Sequence, residues 1–332
     1  MKAIVYTKYG PPDVLELKDV EKPSPNNNEV LIKVYAASVN PAELHLLRAD
    51  PFVTRFYSGL LKPKNMILGA DIAGRVESVG KNIKQFHIGD EVFGDLSHCG
   101  WGGFARYVCA RENAVGLKPA NLSFVEAAAV PLAALAALQG LRNKGKIRQG
   151  QKVLINGASG GVGTFAVQIA KSFGTEVTGV CSTKNLDMVR SIGADHVIDY
   201  TQVDFTRNGK AYDLIFDAVG NLSISDCKRA LSHNGICAVA GFTTLSHLLW
   251  VALVGSLVSI TGSKKIGLMD TAKPNHKDLV FIKELVEAGK VKPVIDRRYP
   301  LSEVPEAFRY LEKKHAHGKI VITLEDSIKN DR

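Results

Sequence analysis

The chain has 332 residues, 45% of them hydrophobic, and a formal net charge of +9, which is enough material for two cores. Its lysines and arginines are spread out with no aromatic-interleaved basic stripe, which argues against nucleic-acid binding. The 5 cysteines (Cys99, Cys109, Cys181, Cys227 and Cys237) are odd in number with no Cys-x-x-Cys pair, which argues against a stapled secreted domain and for reduced thiols in a cytoplasmic setting.

Met1-Lys-Ala-Ile-Val-Tyr has no apolar h-region, so no signal peptide is expected. The first 120 or so residues read as short strands between turns. Val30-Leu-Ile-Lys-Val-Tyr-Ala36 follows an Asn turn, Asp71 to Gly80 alternates at period two from Ile72, and Gly89-Asp-Glu-Val-Phe-Gly94 is a brief strand between glycines. Many glycine-punctuated strands suggest a small irregular barrel.

At Ser123 the pattern changes. Ser123-Phe-Val-Glu126 is a capping box ahead of an alanine-rich helix. Strands then alternate with helices: Lys152–Ile155, a helix over 162–173, Glu176–Val180, a helix over 185–192, His196–Ile198, Asp213–Phe216, a helix over 223–231, and Ile236–Ala240. Apolar β-branched strands alternating with helices predict a doubly wound parallel sheet. Leu248 to Ile260 is apolar but shorter than the roughly 20 residues of a spanning helix; a buried helix and then a strand, or a subunit contact, is expected there, with no transmembrane segment. Beyond residue 265 come a helix over 277–288, another from Ser302, and a closing strand Lys319–Thr323.

One turn carries chemistry. Lys152-Val-Leu-Ile155 runs into Gly157-Ala-Ser-Gly160-Gly-Val-Gly163, and a helix follows. Gly157 suits the tight turn, Gly160 and Gly161 let backbone amides approach a pyrophosphate, and Gly163 lets the helix pack close to the sheet. The helix N-terminus offers unpaired amides and a favourable dipole to phosphates. A glycine string alone is weak; between a strand and a helix at the head of a βαβ array it predicts a dinucleotide site. At the end of the second strand an acid would select NAD. The segment is Cys181-Ser-Thr-Lys-Asn185, with no acid before Asp187. Ser182, Thr183 and Lys184 suit the 2′-phosphate of NADPH.

With this turn, Gly193-Ala-Asp-His-Val-Ile-Asp-Tyr200 and Phe216-Asp-Ala-Val-Gly220, the sequence resembles the medium-chain dehydrogenase/reductases, and within them the zinc-free quinone oxidoreductases of the zeta-crystallin-like branch. Met1 to Leu15, Leu68-Gly-Ala-Asp-Ile-Ala-Gly74, Phe86 to Gly94 and Gly318-Lys-Ile-Val-Ile322 match in order over nearly the whole chain. Ser38-Val-Asn-Pro41 and Ser97 to Gly103 are similar to the chloroplast-envelope homologues. The resemblance implies an α/β chain in which a GroES-like irregular β-barrel catalytic domain (1–122, returning over 266–332) accompanies a Rossmann NADP-binding domain (123–265). It implies a homodimer through an edge strand, which here would be Ser256-Leu-Val-Ser-Ile-Thr261.

Zinc-dependent members of the superfamily bind catalytic zinc through a cysteine and a Gly-His-Glu motif; the matching places here carry Asn40 and Gly69-Ala-Asp71. Asn and Ala are poor zinc ligands, so no metal is expected. Without that Lewis acid, acceptors that delocalise the incoming charge onto a carbonyl, quinones and enones, suit the chemistry better than alcohols. Carried over by motif, Ser159, Gly160, Gly161 and Val162 would meet the pyrophosphate and Ser182, Thr183, Lys184 and Tyr200 the 2′-phosphate. Val219, Gly241 and Phe242 would pack along the dinucleotide.

Asn40 and His45 are the catalytic candidates. The Asn40 amide could donate to the substrate carbonyl or serve only the Asn-Pro turn; His45 stands where relatives often carry tyrosine. Phe52, Phe56 and Tyr57 would wall a flat substrate or pack their loop down. His315 and His317 suit a solvated turn better than a metal site. Two alternatives stay open: an enoyl-thioester reductase, and a cofactor-binding crystallin-like or RNA-binding protein with little catalysis.

Overall fold

The computed structural model describes residues 1–324 except Phe242 and His315, and leaves aside the side chains of Ser256 and Thr261. The chain forms two units: Met1–Leu132 with Lys273–Glu287 and Pro293–Arg332, and Ala133–Ala272 with Ala288–Lys292.

In chain order the strands are β1 (Lys2–Val5), β2 (Glu16–Asp19), β3 (Glu29–Val39), β4 (Asp71–Val79), β5 (Glu91–Asp95), β6 (Tyr107–Arg111), β7 (Val115–Leu117), β8 (Lys152–Asn156), β9 (Glu176–Cys181), β10 (His196–Asp199), β11 (Tyr212–Asp217), β12 (Leu231–Val239), β13 (Lys265–Leu268), β14 (Ile295–Pro300) and β15 (Lys319–Thr323). The helices are α1 (Pro41–Arg48), α2 (Arg55–Ser58), α3 (Phe124–Ala128), α4 (Pro131–Gln139), α5 (Gly161–Ser172), α6 (Leu186–Ser191), α7 (Ile224–Ala230), α8 (Leu245–Thr261), α9 (His276–Glu287) and α10 (Val304–Glu312).

The first unit is the irregular, GroES-like part. Its main sheet runs β14-β15-β3-β4-β5-β7, with β6 also on β3. The apolar run from Val30 makes β3 the buried centre, paired antiparallel with β4, β6 and β15. Ile32, Ile72, Phe104 and Phe308 share one core, and Phe104 meets Phe308 edge-to-face at 5.9 Å. That contact joins α10 to the segment that leads into β6. The register Ile320↔Val39 sets Lys319 opposite Asn40, the residue that follows β3. Phe52, Phe56 and Tyr57 are exposed, and Phe52 meets Phe56 edge-to-face at 6.3 Å.

The second unit holds the six-stranded, wholly parallel sheet in the order β10-β9-β8-β11-β12-β13. The order reverses beside β8, the position where doubly wound sheets bind ligands at their strand ends. The capping box forms as expected: Glu126 N–H donates to Ser123 Oγ at 3.3 Å, and Ser123 N–H to Glu126 Oε2 at 2.9 Å. Pro131, which cannot extend a preceding helix, stands at the start of α4 and separates it from α3.

One expectation is overturned. Ser256–Thr261 is not an edge strand but the last part of α8, and β13 takes the edge instead. The β-branched run there reads as a strand only when isolated; Thr244 caps the helix, accepting from His247 N–H at 3.2 Å, and Leu-rich sequence carries it through. Leu249, Trp250, Leu253 and Leu257 of α8 are exposed, so of the two expectations for this stretch, a buried helix then a strand or a subunit contact, the first is not met. No helix among the described residues is long and apolar enough to cross a membrane.

Candidate functional site

In the second unit, β8 ends at Asn156 and the chain turns on Gly157, whose φ of 80° is a left-handed value that favours glycine. A Cβ on Gly163 would lie 2.0 Å from the Gly157 carbonyl oxygen, a backbone atom that cannot swing away. Hydrogen alone fits, so α5 begins hard against the strand end. Gly160 differs: a Cβ there would meet the Gly157 carbonyl oxygen at 3.5 Å, an ordinary contact that needs no shift. Gly160 is the N-cap of α5 and supplies no side-chain cap, so the first-turn amides of Gly161, Val162 and Gly163 keep their capacity for a ligand. This cradle fits a pyrophosphate.

The expected cofactor residues gather around it. Asn185, buried at the start of α6, donates through Nδ2 to Ser159 Oγ at 3.1 Å and to Ser182 Oγ at 3.2 Å. It ties the glycine turn to the end of β9, a role sequence patterning does not reveal. Tyr200 N–H bonds the Cys181 carbonyl at 3.1 Å, which ties the end of β10 to the end of β9; its side chain is 59% exposed, and Lys184 is exposed too. Val219 lies over the turn, its Cγ2 2.6 Å from where a Gly157 Cβ would be, and Gly241 N–H reaches the Asp217 carbonyl at 3.4 Å. Phe242 lies outside the described residues, as does His315.

Two residues behind this turn escaped sequence reasoning. Asp217 is fully buried and accepts from Asn156 Nδ2 at 2.8 Å, Gly220 N–H at 2.9 Å and Val219 N–H at 3.1 Å. It locks the loop after β11, and the Asp-Ala-Val-Gly run is the signal that could have found it. Asp199 matters differently. It lies across from Cys181 in the β9–β10 register and accepts from Thr183 Oγ1 at 2.5 Å. Hydrogen bonds from Thr183 and then Thr201 hold its carboxyl below the ordinary range. A search along the chain finds no acid before Asp187, yet the neighbouring strand sets one beside Thr183, whose hydroxyl it engages.

The first unit buries a second constellation. Asn40 is 2% exposed and stands at the head of α1, where the Glu43 carboxyl turns back onto its backbone N–H. Its Nδ2 donates to Asp71 Oδ2 at 3.0 Å; the other amide proton has only long contacts, to Glu43 Oε1 at 3.3 Å and the Ser38 carbonyl at 3.5 Å. Its Oδ1 accepts from Lys319 Nζ. Lys319 Nζ also donates to Asp71 Oδ2 at 3.0 Å, and Asp71 accepts further from Ser38 Oγ at 2.6 Å and Leu132 N–H at 2.7 Å. Burial pushes Glu43 up to about 8 despite the Ala70 N–H bond, with the Asp71 charge adding to it; burial and then Asp71 push Asp95 up to about 7. Sequence reasoning singled out Asn40 and Ala70 but not Glu43, Asp71 or Lys319.

His45 lies on α1, one turn beyond this cluster. Its Nδ1 is 2.7 Å from the Asp50 carbonyl oxygen. A carbonyl only accepts, so Nδ1 carries the proton, and Nε2 becomes a donor only in the imidazolium.

A parallel sheet with a glycine cradle, in a chain that also carries a GroES-like unit, defines a nucleotide-dependent oxidoreductase of the dehydrogenase type. Residues 26–120 match the alcohol dehydrogenase GroES-like domain and residues 192–322 the zinc-binding dehydrogenase model. The chain is 36% identical to a chloroplast envelope quinone oxidoreductase homologue of Arabidopsis thaliana, over 97% of this chain and 98% of that one. It is 33% identical to an NADPH-dependent alkenal/one oxidoreductase of the same plant, over 97% of this chain and 79% of that one. The solved quinone oxidoreductase of Coxiella burnetii superposes with a TM-score of 0.84 at 32% identity, covering 97% and 99% of the two chains. The chain belongs to the medium-chain dehydrogenase/reductase superfamily, in its quinone-oxidoreductase-like branch.

Proposed function

We propose that the chain transfers hydride from NADPH to a quinone or an α,β-unsaturated carbonyl, an enone or alkenal, without zinc. The Gly157–Gly163 cradle supports this reading: it admits no side chain at Gly163, has only an ordinary contact at Gly160, and leaves the first-turn amides of α5 without a side-chain cap. Ser159, Gly160, Gly161 and Val162 would hold the pyrophosphate, and Ser182, Thr183, Lys184 and Tyr200 the 2′-phosphate. Val219, Gly241 and Phe242 would line the dinucleotide. When bound, the nicotinamide supplies the hydride, and the chain's own groups orient the acceptor and meet the charge that develops on its oxygen.

Asn40 and His45 are the groups proposed for that oxygen. Asn40 can give its loosely held amide proton, at 3.3 Å from Glu43, while its bond to Asp71 persists. His45 donates through Nε2 when doubly protonated. A homodimer is retained with the proposal and is tested by mass-resolved size exclusion.

Loss of NADPH absorbance on rapid mixing with a benzoquinone, an alkenal and an enoyl thioester tests the reading. Turnover of the first two is expected. Turnover of the thioester alone would move the assignment to an enoyl-thioester reductase. Tight NADPH binding with no turnover of any acceptor would leave a binding protein and overturn the enzyme.

A further inference from the structure

We propose that Lys319 is the positioning residue of the first unit's site: its buried ammonium decides which way the Asn40 amide faces. The inference rests on the proposed function, in which Asn40 offers N–H to the acceptor.

Lysine is seldom fully buried unless paired, yet Lys319 is 3% exposed. It reaches the site because β15 runs antiparallel to β3 and the register sets it opposite Asn40. An ammonium has three donors and no acceptor. The atom of Asn40 that faces Lys319 Nζ must therefore be Oδ1. On its other side the amide faces the carboxyls of Asp71 and Glu43, which call for Nδ2. Only one of the two amide orientations satisfies all three neighbours, and Lys319 supplies the requirement that the flipped amide violates.

The charges around it lead to the same assignment. The acids facing the ammonium are Asp71, which bonds it at 3.0 Å, with Glu43 and Asp95 beyond. Burial holds the protons of Glu43 and Asp95 to well above their ordinary range, and Asp71 Oδ2 is the carboxyl oxygen that bonds Lys319 Nζ at 3.0 Å. Without the ammonium, Asn40 Oδ1 loses its donor and the amide its fixed sense.

The test compares Asp71→Asn with Lys319→Met/Asp71→Asn, so that both chains lack the Asp71 charge and differ only at Lys319. Melting temperature, NADPH affinity and kcat with the best acceptor are measured on each full chain. The expected result is that both bind NADPH as the parent does, while kcat of the double variant falls at least about tenfold below that of Asp71→Asn. Equal kcat in the two variants would overturn the proposal and leave Lys319 a partner for buried charge alone. Should either variant fail to fold, hydrogen exchange of side-chain amides in the unaltered chain decides. The Asn40 amide protons and the Lys319 ammonium protons are expected to exchange far more slowly than the amide of exposed Asn27; exchange as fast as Asn27 would overturn it. A parent chain that binds NADPH but turns over no acceptor fails the proposed function by itself, and the exchange measurement still reads the Lys319 contact.

Discussion

Two glycines of the cradle separate what the fold needs from what a ligand needs. In Gly163→Ala the new methyl carbon would sit 2.0 Å from the Gly157 carbonyl oxygen and 2.8 Å from its carbon; reaching the 3.4 Å of ordinary contact takes a backbone shift of about 1.4 Å. A shift of that size moves the first amides of α5 out of hydrogen-bond range of a phosphate. Losing one or two charge-assisted bonds, at about 1.5 to 3 kcal/mol each, raises the NADPH Kd by about ten- to a hundredfold or more. Overpacking also costs about 1 to 3 kcal/mol of stability, so the melting temperature falls. Gly160→Ala is the informative partner. Its φ of −80° and ψ of 172° suit alanine, and the nearest protein atom is 3.5 Å away, so the chain should melt as the parent does. Its methyl would nevertheless occupy the space proposed for the pyrophosphate. Titration by NADPH fluorescence, with a melting curve for each variant, reads both quantities. An unchanged Kd in Gly160→Ala would refute the pyrophosphate placement. A destabilised Gly160→Ala would refute the steric reasoning itself.

Three further outcomes follow from the same structure. Lys184→Glu should weaken NADPH by about tenfold or more and NADH much less, since only the 2′-phosphate meets the new charge; equal losses would remove Lys184 from that role. Asp199→Asn, which takes a negative charge from beside Thr183, should tighten NADPH several-fold and leave NADH nearly unchanged, read by the same titration. Glu43 has its folded pKa raised to about 8 by burial, above the ordinary value of 4.5, so its contribution to stability is complete below that lower value and is lost as pH rises through about 8. Glu43→Gln removes this dependence: melting curves at pH 5 and pH 9 should differ less in the variant than in the parent, and an equal difference would show that Glu43 does not titrate late.

What the sequence showed and what it hid divide by distance along the chain. The cradle was legible because strand, glycines and helix are contiguous from Lys152 to Phe173, and the Ser123–Glu126 box because its partners are three residues apart. Asp199 was hidden because β10 aligns with β9 by sheet register, not by chain order. Asn185 was hidden because a buried asparagine at a helix start looks like any cap. Ser256–Thr261 misled because a short β-branched run carries the same pattern in a strand and in the end of a long apolar helix. The cluster of the first unit was least legible of all: Lys319 meets Asn40 and Asp71 across separations of 279 and 248 residues.

That separation bears on why zinc-free chemistry is proposed for this chain. A poor ligand at Asn40 or Ala70 explains only why a metal would bind weakly. Lys319 supplies a physical reason of another kind. A divalent ion needs deprotonated ligands, and burial of Glu43 and Asp95 holds their protons on, against that demand. The Asp71 carboxyl already has an ammonium at 3.0 Å. A metal entering here would have to displace Lys319 and strip a proton from Glu43 or Asp95, while the side chain that leaves is tethered to β15. The positive charge of this pocket is therefore built into the chain, carried by Lys319, and within the proposed function it can hold the Asn40 amide in place without being a Lewis acid.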